Sequence, residues 1–185
     1  MGRTYDRITP ELASWMEEQK MFFVATAPHD GFVNVSPKGY DTFRFLDDRR
    51  VAYLDLTGSG AETLAHVRQN QRITFLFCGF DDPPRLVRLH GRARAFVVGS
   101  EGYDELRSRF PDKPGARAVI EAEVERVSTS CGFSIPLYAY QGDRPTLDHW
   151  AERKGHSGIV AYWAEKNTWS IDGLPALETP ATQLG

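Results

Sequence analysis

Two stretches of the chain carry charge at every second position, and the charges have opposite sign. Arg88, His90, Arg92 and Arg94 alternate with Val87, Leu89, Ala93 and Ala95, while Glu121, Glu123 and Glu125 repeat with the same period further on. A two-residue period places successive side chains on opposite faces of a strand. Arg85–Val97 and Arg117–Val127 are therefore read as long strands, joined through a short helix at Glu101–Phe110 that Pro111 and Pro114 close. The matched stripes predict that the two strands pair antiparallel, each opposed charge pair being worth a few tenths to about 1 kcal/mol. That use of the basic stripe leaves Arg88, the member farthest from the helical connection, as the one free for a ligand.

The remaining chain reads as more strands and a few helices. Thr9-Pro10-Glu11 starts a helix, with a capping hydroxyl, a proline at the first helical position and an acid at the positive end. Leu12, Trp15 and Met16 share its inner face. Met21–Ala27 is apolar on both faces, as a central strand is; His29-Asp30-Gly31 turns the chain and Phe32–Ser36 returns. Thr42–Leu46, Val51–Leu56 and Arg72–Cys78 are further strands, with a helix over Ala61–Asn70, and Phe133–Gln141 is read as a last one. Pro145–Lys154 and Ser157–Lys166 read as helices separated by Gly155, and the residues after Pro175 as a loose tail. Six or seven strands joined by short turns need closure to remove their edges. The expected architecture is a mainly β small barrel with peripheral helices, built as one domain from 185 residues and carrying a helical C-terminal extension over about 145–170.

Composition removes several function classes. A net charge of −3 gives no bulk attraction for nucleic acid. No apolar run approaches the roughly 20 residues that span a bilayer, and the first residues lack the apolar core of a signal peptide, so a cytoplasmic location is expected. In that setting Cys78 and Cys131 are expected to be reduced, buried thiols. The five histidines and two cysteines make no metal-ligand spacing, and no nucleophile elbow is present.

Chemistry concentrates in Asn34–Thr63. Asn34-Val35-Ser36-Pro37-Lys38-Gly39 ends a strand with one cation, and Thr57-Gly58-Ser59-Gly60 forms a glycine-rich corner opening onto the helix at Ala61. Free backbone N–H groups at such a helix start attract anions. Gly-Ser-Gly-Ala-Glu-Thr lacks the lysine of a P-loop, and Glu62 in the first turn competes with an anion for the helix end. On spacing alone, a plain turn, a helix cap and a surface lysine explain the same residues.

Taken together, FFVATA, VNVSPKGYDTF, RRVAYLDLTGSGAETLAHVRQNQRITFLFC and RLVRLHGRARAF resemble the pyridoxamine 5'-phosphate oxidase-like, FMN-binding split-barrel family over roughly Glu11 to Ala95. The resemblance implies a six-stranded split barrel, a homodimer, and FMN held between the subunits. It places Ser36 and Lys38 against the flavin and its phosphate. Tyr53, Leu54 and Asp55 would lie on the strand whose backbone lines the ring, Ser59, Gly60 and Thr63 at the corner near the phosphate, and Arg88 on a strand that reaches the ring. Two departures stand out. Glu62 lies where the oxidase often has a basic residue, and the C-terminal arginine and histidine with which the oxidase grips pyridoxal phosphate have no counterpart.

The expected function is thus FMN-dependent oxidation or reduction of a small molecule other than vitamin B6, the flavin carrying the hydride. A flavin-binding or redox-sensing module without turnover is the alternative from another class. A deazaflavin or haem in the same barrel is a further one, with His66 and His90 as candidate axial ligands. The aromatic-rich end, Trp150 to Trp169, is expected to add to a dimer interface.

Overall fold

A computed structural model describes residues 2–178. One antiparallel sheet of eight strands dominates it: β1 (Thr4–Tyr5), β2 (Phe22–Thr26), β3 (Asn34–Lys38), β4 (Phe43–Phe45), β5 (Arg50–Leu56), β6 (Arg72–Cys78), β7 (Leu86–Val97) and β8 (Ala116–Ser130). Their order is β3-β2-β6-β7-β8-β5-β4, with β1 paired to β8 beyond this path. The helices are α1 (Pro10–Glu18), α2 (Glu62–Asn70), α3 (Tyr103–Arg107) and α4 (Thr146–Lys166).

The charge-striped strands pair as their patterns predict. Arg92 lies opposite Glu123 and Arg94 opposite Glu121, with a register shift at His90/Gly91. The shift is a β-bulge, and Gly91 is required in it, because a Cβ there would overlap the Glu123 carbonyl oxygen. It also moves Glu125 to within 3.1 Å of Arg92 Nε, so the ion pair runs diagonally. Both stripes face outward, away from the barrel core.

The sheet curls until its two ends meet. Phe22 on β2 and Phe43 on β4 stand 5.0 Å apart between ring centroids, and Phe75, Phe77 and Tyr53 join them mostly edge to face. This aromatic plug fills the inside of a split barrel. On the outer side of β5, Ala52 and Leu54 form a second small core with Val119, Tyr103 and Phe110 under α3. Thr9 caps α1 as its sequence indicates, accepting from the Leu12 amide at 3.3 Å.

Several expectations need correction. Phe133–Gln141 forms no strand. Both long sides of β8 are already paired, to β7 and to β5, and Pro136 has no N–H to give a ladder. The segment instead crosses the barrel end as an irregular strap, its Tyr138 amide donating to the Phe80 carbonyl at 3.1 Å. Cys131 is exposed, not buried. The chain after Pro175 is not loose at once, since Ala176 and Leu177 are buried and donate to Thr168 and Asn167 carbonyls. Residues 179–185 lie outside the described residues. The break at Gly155 is present as a kink in α4, at φ 64° and ψ 175°. Among the described residues, no helix is long and apolar enough to cross a membrane.

Candidate functional site

Alternation along β3 decides which of its side chains meet the barrel interior. Asn34, Ser36 and Lys38 lie opposite Thr26, Val24 and Phe22 of β2, all buried and inward. Val35 and Pro37 point the other way. On β5 the same alternation turns Tyr53 and Asp55 inward and Leu54 outward into the second core. The Leu54 side chain is therefore directed away from the others, and its backbone N–H is already given to the Thr42 carbonyl at 2.9 Å.

Lys38 and Asp55 meet where β3 and β5 approach. Lys38 Nζ is 3.3 Å from Asp55 Oδ1, and Arg117 Nε of β8 donates to Asp55 Oδ2 at 2.7 Å. Asp55 is fully enclosed and Arg117 is 4% exposed. Burial alone would raise the Asp55 pKa, but Arg117 first and Lys38 second outweigh it and hold the carboxyl below its ordinary range. The three groups together carry one surplus positive charge.

Sequence reading missed Arg117, and Asn167 beyond the end of α4. Arg117 donates through its other arm to Asn167 Oδ1 at 2.9 Å, and Asn167 Nδ2 donates to the Gly58 carbonyl at 3.0 Å. Trp163 Nε1 donates to Thr57 Oγ1 at 2.7 Å, and that hydroxyl donates to the Gly115 carbonyl. The glycine corner is thus held from behind by α4 and tied to the charge cluster. A signal for Arg117 did exist. An aspartate inside the apolar strand Val-Ala-Tyr-Leu-Asp-Leu must find a buried cation, because an isolated carboxylate is too costly to bury.

At the corner, Ser59 is exposed and a Cβ on Gly58 would meet nothing within 4 Å, so there is open space before α2. No side chain caps the start of α2. Glu62, however, folds back so that its carboxylate fills the position a Cβ on Gly60 would take. Thr63 is buried and accepts from Asn34 Nδ2 at 3.1 Å; the same amide reaches Thr26 Oγ1, which bonds His66 Nδ1 at 3.0 Å. His66 is completely buried, and both its Nε2 and the Tyr53 hydroxyl, with Thr63 nearby, lack a hydrogen-bond partner among the described residues. Burial, with the Asp55 charge, keeps Tyr53 protonated far above its ordinary pKa, so its hydroxyl is available only as a neutral donor or acceptor.

The structure therefore brings Ser36, Lys38, Tyr53 and Asp55 to one inner surface, with Ser59, Gly60 and Thr63 along the adjoining corner. It does not bring Arg88 there. Arg88 points from the outer face of β7 and donates to Ser130 Oγ at 3.2 Å. His90 shares that face, bonded to Thr74 Oγ1 at 3.1 Å.

Comparison with known proteins agrees with this architecture. Residues 8–131 match the family described as pyridoxamine 5'-phosphate oxidase. A curated relative, the pyridoxamine 5'-phosphate oxidase family protein ustO of Aspergillus flavus, is 37% identical over 199 residues, covering 98% of this chain and 80% of that protein. Among solved structures, HupZ of Group A Streptococcus superposes with a TM-score of 0.51 at 24% identity, over 65% of this chain and 91% of HupZ. A Lactobacillus delbrueckii protein provisionally assigned as a pyridoxamine 5'-phosphate oxidase gives 0.54 at 20% identity, over 66% of this chain and 94% of its own. These two likenesses show the fold; the family match and the curated relative show more, and the chain belongs to the pyridoxamine 5'-phosphate oxidase family.

Proposed function

We propose that the protein binds a flavin, FMN in particular, at the rim of the barrel between Lys38 of β3 and the glycine corner before α2, and uses it to oxidise or reduce a small molecule. The observation that carries this reading is the Lys38–Asp55–Arg117 cluster beside an uncapped helix start. It supplies surplus positive charge, and Asn167 joins it to the corner, which offers the exposed Ser59 hydroxyl and open space at Gly58, while Ser36 lies on the same face of β3 as Lys38. That donor set suits a ribityl phosphate, with Glu62 as the one group that must move aside. When bound, the flavin supplies the hydride chemistry. The chain's own part is to hold the phosphate with Lys38, fix the strand with the buried Asp55–Arg117 pair and keep water from the ring. Among the described residues, no side chain in the site is set up as a required acid or base, as suits hydride transfer.

The reading includes a homodimer that completes the site. The edge strand β3 exposes Val35 on its outer face, with Phe32 and Val33 just before the strand, each more than 60% exposed. Asp172 accepts from the Phe32 amide at 3.2 Å and brings exposed Trp169 and Ile171 alongside. An apolar edge of this kind is a liability unless something covers it, and a second copy would do so by two-fold pairing. Trp163, in contrast, is used inside the chain, and Trp150 packs on Tyr162 at 5.1 Å. Of the C-terminal tryptophans, Trp169 is 60% exposed, and this reading gives it the contact with the partner.

A visible spectrum of protein loaded with cofactor separates flavin from deazaflavin and haem. Fluorescence titration with FMN and riboflavin then tests the phosphate contact; equal affinity for the two would remove it. Screening electron donors and acceptors on the FMN-loaded protein distinguishes an enzyme from a module that binds without turnover.

A further inference from the structure

Asn167 lies outside the region matched to the family, yet it is fully buried and bonded to both halves of the candidate site. Its carbonyl oxygen accepts from Arg117, and its amide nitrogen donates to the Gly58 carbonyl. A carboxamide places an acceptor and a donor on two separate atoms of one short side chain, so it can bridge two groups at once. An aspartate of the same shape would lose the donor and add a negative charge beside Arg117, and an aliphatic residue would lose both bonds. The neighbouring tie, Trp163 to Thr57, fixes the residue just before Gly58. The two first residues of the corner are therefore set by the last turn of α4 and its exit.

We infer that Asn167 is a positioning residue for the anionic end of the bound cofactor. It holds the corner backbone open toward the ligand and orients the Arg117 guanidinium on Asp55, so that the Lys38 ammonium, bonded to Asp55 through one N–H, can turn its others to the phosphate. The inference rests on the flavin reading. It adds that phosphate recognition is shared between the family's common barrel and a helix outside it.

The test compares FMN with riboflavin, which differ only in the phosphate. Titrations would be run on the full-length wild-type protein, Asn167→Asp, Asn167→Leu, and Ser170→Ala as a control. Ser170 braces the neighbouring loop, its hydroxyl accepting from the amides of Asp172 and Leu174, with no side-chain hydrogen bond to Gly58 or Arg117 among the described residues. Asn167→Asp is expected to lower FMN affinity by ~10-fold or more, because the Gly58 carbonyl loses its donor and meets a carboxylate instead, and to lower riboflavin affinity much less. Asn167→Leu should follow in the same direction, and Ser170→Ala should leave the ratio of the two affinities unchanged. Melting temperatures of each variant separate a local change from general unfolding. Equal losses for both ligands, or unchanged affinities in Asn167→Asp, would overturn the positioning role while the flavin reading stands. Wild-type protein that binds neither ligand overturns the flavin reading and this inference with it.

Discussion

Asp55 is fully buried and holds two cations, so its removal is felt through the partners it leaves. Asp55→Asn should destabilise the fold by about 3–5 kcal/mol, the cost of stranding a buried charge, which chemical denaturation can measure. Lys38→Ala leaves Arg117 to neutralise Asp55 and should spare the fold. It should weaken FMN binding by about 1.5–3 kcal/mol, the worth of a hydrogen bond to a charged group, and riboflavin binding less. Glu62→Gln should act in the opposite sense and improve FMN over riboflavin, since it removes a carboxylate from the helix end while keeping its length. His66 provides a pH signature. Burial chiefly lowers its pKa below the ordinary 6.5, so the unfolded chain takes up the proton more readily than the folded one. Stability is then full above about pH 6.5 and declines as the pH falls below it, and His66→Gln should flatten that decline in urea titrations. At this scale the sequence showed the acid, the lysine and the corner, because each stands in a local pattern of glycine, hydroxyl and alternation. It did not show Asn167, whose partners Gly58 and Arg117 are brought near it only by the docking of α4. It also did not show that Arg88 and Lys38 face opposite sides of one sheet, which follows from pairing across β2 and β6 and not from either strand alone.

Strands whose patterns were self-consistent were legible, and the segments that failed were those where pattern and available partners disagreed. β7 and β8 announce each other through their charges. Phe133–Gln141 has the apolar content of a strand but arrives where the ladder on β8 is already taken. Helix α2 was legible in extent but not in burial, since Thr63 and His66 on its polar side are covered by β2 and β3 as fully as Leu64 is by the barrel. The kink in α4 was legible from one glycine. At φ 64° and ψ 175° Gly155 sits in a region that residues with a Cβ avoid. Gly155→Ala should cost about 1–3 kcal/mol in denaturant unfolding, and it should also loosen the Trp163–Thr57 tie, visible as a change in tryptophan fluorescence.

For the molecule as a whole, the exposed edge at β3 makes assembly the first property to measure. Val35→Asp places a charge in the middle of the apolar stripe and should shift sedimentation from dimer toward monomer, with flavin released in parallel if the site is shared. A stable monomer that binds FMN as tightly as the wild type would end the shared-site proposal. The attachment of α4 to the glycine corner has a further consequence, one of timing during synthesis. The barrel strands through β8 emerge from the ribosome before Trp163 and Asn167 do, so the nascent barrel can pair its strands while its corner still lacks both ties. On the flavin reading, cofactor capture would follow the docking of α4, and a chain cut before α4 should bind FMN more weakly than the full-length protein.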